Sequence, residues 1–169
     1  MKARGFTLLE FILYFALISI VVGMVAAFAV DMVKTRAKTA AIAEVEQNMR
    51  FGMQRILGSV RQATKLNAGT SNFDAATGVL SVDMPDPAAT PTVFDLVDGV
   101  LRIKEGAAAA VPLTSPGVRV TALRFSKDSL GGNNVAITAE MSVVYRTDNP
   151  DVLFNYASSA SATAVIRKD

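Results

Sequence analysis

Glu10 is the one acidic side chain at the start of a long apolar segment. It directly precedes residues Phe11–Val30, which contain no charged residue. A carboxylate within a membrane costs a few kcal/mol unless a cation or the lipid headgroups receive it. We therefore expect Glu10 either to pair with a cationic group or to extend its carboxylate to the headgroup level.

The residue types on which most enzymes depend are missing. The 169 residues include no Cys, no His and no Trp. These absences exclude disulfides, thiolate or imidazole metal sites, Cys nucleophiles and His-based triads. Ser is plentiful, but Ser without a His or a suitably placed Lys does not predict a nucleophile. We expect a protein that is not an enzyme and has no cofactor.

The apolar segment has the length and composition of a membrane-spanning helix. Apart from Ser19 and Gly23, every residue of Phe11–Val30 is apolar. A helix of that length spans about 30 Å, the thickness of the hydrocarbon core. Lys2 and Arg4 precede it, and Ala27-Phe28-Ala29 has the small-x-small form of a signal-peptidase site. Composition alone leaves both a retained anchor and a removed signal peptide open.

The residues before the apolar segment favour a third kind of processing. The heptapeptide Arg4-Gly5-Phe6-Thr7-Leu8-Leu9-Glu10 resembles the class III signal of type IV pilins and type II secretion pseudopilins. In that family a basic leader ends in Gly, followed by Phe-Thr-Leu-x-Glu and a long apolar run. The resemblance implies that a prepilin peptidase cleaves between Gly5 and Phe6 and that Phe6 is then N-methylated. It also implies that Glu10 pairs with the N-terminus of a neighbouring subunit.

The residue types suit those implied roles. Gly5 has no side chain, so its backbone can closely approach a protease cleft. Leader cations favour a cytoplasmic N-terminus, but the basic residues Lys34, Arg36 and Lys38 flank the other end of the segment. The motif, rather than the charge balance, therefore predicts the orientation.

Residues 31–66 are predicted to continue the helix as an amphipathic stalk. No proline precedes Pro85, and Asn67 and Gly69 are plausible stop signals. The apolar positions follow one another at spacings of three or four and form one stripe: Ile42, Val45, Met49, Met53, Ile56, Val60 and Ala63. Such a stripe must pack against the residues that follow.

The stalk is also rich in basic residues between Lys34 and Lys65. This pattern fits either a surface that faces DNA or lipid or a solvated helix face. Only one aromatic residue, Phe51, lies among these cations. We therefore expect a solvated face and do not expect DNA as a partner.

From Asn67 onward the apolar period changes from 3.6 to 2, which predicts an antiparallel β head and an α+β fold of the pilin type. Asp98-Gly99 is a strong hairpin signal, and a phase shift at Ala122-Leu123 indicates a bulge. The predicted strands are Val79–Asp83, Val93–Val97, Val100–Lys104, Val118–Ser126, 133–146, 153–156 and 160–167, with a loop over Met84–Thr92.

Further features bear on subtype and ligands. The apolar segment has no proline and the head has no Cys pair, unlike many major pilins. Ala43–Ala63, the Asp98-Gly99 hairpin, Pro112–Ser115 and Ala164–Arg167 are similar to minor pseudopilins of the J type, which favours a minor subunit.

Two acidic turns and two aromatic residues allow alternative interpretations. Asp83–Asp86 and Asp148–Asp151 contain oxygen ligands suited to calcium, but neither has an EF-hand pattern, and Asp, Asn and Pro are common turn formers. We do not expect a metal site. Phe154 and Tyr156 fit a partner contact or the sheet core, and we expect the core.

The sequence predicts four regions: a leader (1–5), a transmembrane and assembly helix (6–30), an amphipathic stalk helix (31–66) and a β head (67–169). The resemblance implies a structural filament subunit, first held in the cytoplasmic membrane with its head outside the cytoplasm and then assembled outside the cell or in the periplasm. Its implied partners are prepilin peptidase/N-methyltransferase, other pilin or pseudopilin subunits, an inner-membrane assembly platform and membrane lipid. The alternative is an anchored or secreted β-rich binding module that forms no filament.

Overall fold

A computed structural model describes residues 7–131, 134–146 and 156–167. The chain divides into two compact units, Met1–Thr39 and Ala40–Asp169. The first unit contains the N-terminal part of the helix α1, Leu8–Gln62, and the second contains its C-terminal part and all the described strands.

Helix α1 ends at Gln62, four residues before the predicted end at Leu66. The reason lies in the next two residues, because Lys65 and Leu66 form a short strand opposite Asp83 and Val82. The backbone N–H of Thr64 also donates to the carbonyl of Asp83 at 2.9 Å. Pairing with a distant strand therefore ends the helix before the local stop signals at Asn67 and Gly69.

The described residues of the second unit form two antiparallel sheets rather than the one sheet that the sequence predicts. The first sheet has the order β1-β2-β3-β4-β5 and the second the order β6-β7-β8. The strands among the described residues are β1 Lys65–Leu66, β2 Leu80–Asp83, β3 Thr92–Val97, β4 Val100–Glu105, β5 Val111–Pro112, β6 Val118–Gly131, β7 Asn134–Tyr145 and β8 Ala157–Ile166. A helix packed against antiparallel sheets confirms the predicted fold class.

The local turn and alternation signals are confirmed. Asp98 and Gly99 join β3 to β4 with φ values of 52° and 77°, the left-handed geometry of a tight hairpin turn. The predicted bulge appears as a register shift between Val120 and Ala122. The predicted loop after β2 contains a 3-10 turn, Pro87–Ala89, whose Asp86 side chain accepts from Ala88 N at 2.9 Å.

The ends of the chain's last strands differ from the prediction. Strand β6 continues to Gly131, five residues beyond Ser126, because it pairs with β7 along this extension. Strand β8 begins at Ala157 instead of residue 160. Asn133 and Leu153–Asn155, which were assigned to strands, lie outside the described residues.

The core lies between α1 and both sheets. The predicted helix stripe is buried at all its positions except Ile42, which is half-buried, while its neighbour Ala41 is buried. Gly52 lies where the helix approaches both sheets: a Cβ there would be 2.9 Å from Leu101 Cδ2 and 3.2 Å from Met141 Cε. On β7 the predicted inward face is confirmed by the burial of Ile137, Ala139, Met141 and Val143.

Candidate functional site

The first unit presents an apolar helix surface with no buried side chain among its described residues. Its window of highest hydropathy averages 2.6, and none of that window is buried. Length and composition make this helix able to cross a membrane. The exposed large apolar side chains are Leu8, Leu9, Phe11, Ile12, Leu13, Tyr14, Phe15, Leu17, Ile18, Ile20, Val21, Val22, Met24, Val25, Phe28, Val30, Met32 and Val33.

Glu10 lies in the first turn of α1, three residues after Thr7. Thr7 caps the helix: its Oγ1 accepts from Glu10 N at 3.3 Å, and its carbonyl accepts from Phe11 N at 3.2 Å. A Thr followed three residues later by Glu is the capping-box pattern, which the sequence reasoning did not use. The half-buried Glu10 is therefore held on an ordered helical turn. Gly5 and Phe6 lie outside the described residues.

Two hydroxyl groups of α1 are satisfied by carbonyl groups of the helix itself. The Ser19 hydroxyl donates to the carbonyl of Phe15 at 2.8 Å. Further along, Thr35 Oγ1 donates to the carbonyl of Asp31 at 2.9 Å. Such bonds remove the penalty for an unpaired hydroxyl in an apolar environment.

The basic residues of α1 do not form one continuous exposed surface. Lys34, Arg36 and Lys38 are exposed on the first unit. In the second unit Arg55 forms an ion pair with Glu105 near the end of β4. This half-exposed pair contributes little to stability, but it shows that Arg55 contacts the head.

Several polar side chains of the stalk bind the head, which sequence reasoning missed. The Ser115 backbone N–H donates to Asn48 Oδ1, and the Ser115 hydroxyl donates to Glu44 Oε1, both at 2.8 Å. Gly117 lies so close that a Cβ on it would overlap the Glu44 carboxylate. We call Glu44, Asn48, Ser115 and Gly117 the Glu44 cluster. Glu44 and Asn48 lie four residues apart on one helix face, and this spacing is the only sequence signal of their shared contact with Ser115.

A second polar contact joins the helix to Tyr156, the residue directly before β8. The Tyr156 hydroxyl donates to Glu46 Oε1 at 2.8 Å. This hydrogen bond, followed by desolvation, raises the pKa of Tyr156 above its ordinary value of 10.0. Tyr156 also packs against the core, as expected, whereas Phe154 lies outside the described residues.

The acidic turns serve structural roles where they are described. Asp83 Oδ1 accepts from Asn67 Nδ2 at 2.6 Å, and Asp86 caps the 3-10 turn. Among residues 7–131, 134–146 and 156–167, no three Asp or Glu side chains come together as a metal site. The turn at 148–151 lies outside these ranges.

No protein-family model, curated protein or solved structure matches this chain. The site must therefore be interpreted from its own chemistry. It offers an extensive exposed apolar helix surface with one carboxylate near its start, which suits insertion into lipid or packing against other apolar helices.

Proposed function

We propose that this chain is a non-enzymatic subunit of a type IV pilus or a type II secretion filament. The observation that carries the proposal is the helix α1, whose N-terminal part is exposed and apolar while its C-terminal part is packed into a β head. An apolar surface of this size needs lipid or other helices around it. The heptapeptide Arg4–Glu10 supports the filament rather than a plain anchor.

In this proposal, prepilin peptidase cleaves between Gly5 and Phe6 and Phe6 is N-methylated. The new ammonium group of one subunit then pairs with Glu10 of a neighbour. The Thr7 cap supports this role because it holds Glu10 in a regular first turn. Pairing in an apolar filament core sets the register of assembly, because an unpaired carboxylate is costly there.

The proposed location changes during assembly. The subunit is first a single-span protein of the cytoplasmic membrane with its head on the outer side, and it then joins a filament through an inner-membrane assembly platform. The similarity of Ala43–Ala63, Pro112–Ser115 and Ala164–Arg167 to minor pseudopilins of the J type favours a minor subunit over the major one.

The competing function is a membrane-anchored or secreted binding module that forms no filament. The sequence Ala27-Phe28-Ala29 supports secretion, and a head with its own buried core supports independent binding. This alternative assigns no assembly role to Glu10.

The N-terminus of the protein isolated from its native cells separates these functions. We expect mass spectrometry to find a chain that starts at N-methylated Phe6. A chain that starts at Val30 would indicate secretion after signal-peptide removal, and an intact Met1 would indicate a plain anchor. A Gly5→Leu variant provides the control, because a bulky residue at the cleavage site should leave the leader attached.

A further inference from the structure

Within the described residues, strand β8 pairs on one side only and forms an edge of the second sheet. It pairs with β7 along Ala157–Ile166 without a register shift, and β7 lies between β8 and β6. The Tyr145 backbone N–H donates to the Tyr156 carbonyl at 3.0 Å, which identifies this pair as hydrogen-bonded. In an antiparallel ladder, hydrogen-bonded pairs alternate with non-hydrogen-bonded pairs, whose backbone N–H and C=O groups point away from the partner strand. The outward N–H and C=O groups therefore belong to Ala157, Ser159, Ser161, Thr163 and Val165.

The other sheet edges of the described chain are protected. Strands β1 and β5 have only two residues each, and they contain Lys65 and Pro112. On its side that faces away from β7, β6 forms backbone hydrogen bonds with segment 74–78 and with Gly99. Short length, Lys, Pro and covering loops are the usual ways in which proteins block edge pairing.

Among the residues that the structure describes, strand β8 has none of these protective features. Its ten residues, ASSASATAVI, include no charge, no proline and no bulge. Within the described parts of the chain, no hydrogen bond from a segment other than β7 reaches its backbone. Four of its outward residues, Ala157, Ser159, Ser161 and Thr163, are exposed. Their small side chains leave room for another backbone.

Two arginines lie at one end of this edge. Arg61 of α1 and Arg167 line a pocket of about 430 Å³ together with Thr163, Ala164 and Val165. Both arginines are exposed, and neither forms a salt bridge within the described residues. Two guanidinium groups beside an open strand edge favour a carboxylate on whatever pairs there.

We infer that β8 binds an extended segment of a partner protein by strand addition, with a carboxylate of that segment received by Arg61 and Arg167. Backbone hydrogen bonds to β8 supply affinity, and the arginines set the position of the acidic end. A second copy of this chain is a poorer occupant, because Ala157–Ile166 contains no carboxylate. The inference does not depend on filament formation.

The test uses the full chain in detergent micelles and amide hydrogen exchange measured by NMR. In the free protein, the amides of Ser159, Ser161 and Thr163 should exchange quickly, while those of Ala160 and Ala162 exchange slowly. The probe is an acetylated heptapeptide, TVTVSTE, at about 1 mM. It should slow the exchange of the three outward amides about fivefold or more, as expected for new backbone hydrogen bonds.

Variants separate the backbone and charge contributions. Ser161→Pro removes one outward donor and no bond to β7, so it should abolish the slowing, whereas Ser161→Ala should retain it. Slow exchange at Ile137 and Ala139 would show that the proline variant is folded, and Ser159→Pro provides a second variant of the same kind. The peptide TVTVSTK, or the double change Arg61→Ala and Arg167→Ala, should weaken binding about tenfold.

Three results would overturn the inference. The first is that TVTVSTE does not change the exchange rates of the outward amides, or that it slows them in folded Ser161→Pro as much as in the unmodified protein. The second is that TVTVSTK binds as well as TVTVSTE, which removes the role of the arginines. The third is that the free protein already protects these amides in a concentration-dependent way, which would assign the edge to a second copy.

Discussion

At the residue scale, Glu10 and Tyr156 are polar side chains in two different surroundings. Glu10 is held on the first turn of α1 by the Thr7 cap, next to exposed apolar side chains. Tyr156 has its partner within the chain, the carboxylate of Glu46. Tyr156 therefore has its partner within the second unit, whereas the cation that we propose for Glu10 belongs to another subunit.

We expect Glu10→Ala to be processed and to remain in the membrane but to enter the filament about tenfold less, because a neighbour's ammonium group loses its partner in an apolar core. Quantitative immunoblots of sheared filament and membrane fractions measure this. Asp31→Ala is the matched control, since Asp31 is an exposed acid of the same helix and should be dispensable. Normal incorporation of Glu10→Ala would remove the register role.

Tyr156 predicts a pH dependence of stability. Its folded-state pKa is raised by Glu46, so its contribution is complete below pH 10 and is lost as the pH rises through 10 toward the folded pKa. The stability advantage of the native protein over Tyr156→Phe should therefore be constant between pH 8 and about 9.5 and smaller at pH 10.5. Urea unfolding at these pH values tests this, and an advantage that grows above pH 10 would contradict it.

At the element scale, the N-terminal and C-terminal parts of α1 have different surroundings. Its first unit has no packed partner among the described residues, whereas its second unit is anchored to both sheets by the buried stripe and by the Glu44 cluster. Substitution of Gly52 and of Gly58 tests this packing, because a Cβ on Gly52 would contact the sheets and a Cβ on Gly58 would not.

We expect Gly58→Ala to stabilise the head by up to about 1 kcal/mol, because alanine is the better helix former and a Cβ there meets no atom within 4 Å. Gly52→Ala should instead destabilise it by about 1 kcal/mol, because Leu101 and Met141 must move in a close-packed core. Urea unfolding of both variants measures the difference. Equal stabilisation by both changes would show that the core around Gly52 is loosely packed.

At the scale of the whole molecule, the two units have different physical requirements. Every residue of the main core cluster lies between Val45 and Ile166, inside the second unit. The first unit instead exposes its apolar side chains to the surroundings. The head should therefore fold without the first unit, while the full chain needs lipid, detergent or other helices.

A fragment of residues 40–169 should be soluble without detergent and should unfold cooperatively with heat. A shorter fragment, 50–169, is the control: it lacks Val45 and Met49, whose burial contributes about 3–6 kcal/mol in total, and it also lacks the Asn48 bonds to Ser115. Circular dichroism and size-exclusion chromatography measure both. Aggregation of the 40–169 fragment would mean that the first unit contributes to the fold of the head.

Local patterns alone determined much of this protein. The spacing of the apolar residues between Val45 and Val60 predicted the buried helix face, and Asp98-Gly99 predicted the hairpin, because both depend only on neighbours in the chain. The uncharged run Phe11–Val30 likewise predicted the exposed apolar helix.

Other features were decided only by the tertiary structure, because they depend on residues far apart in the sequence. Pairing of Leu66 with Val82 ends the helix early, and Ser115, which is remote in the sequence, binds Glu44 and Asn48 of the helix. The open edge of β8 also required the sheet order, since a strand's sequence does not reveal which of its two sides is paired.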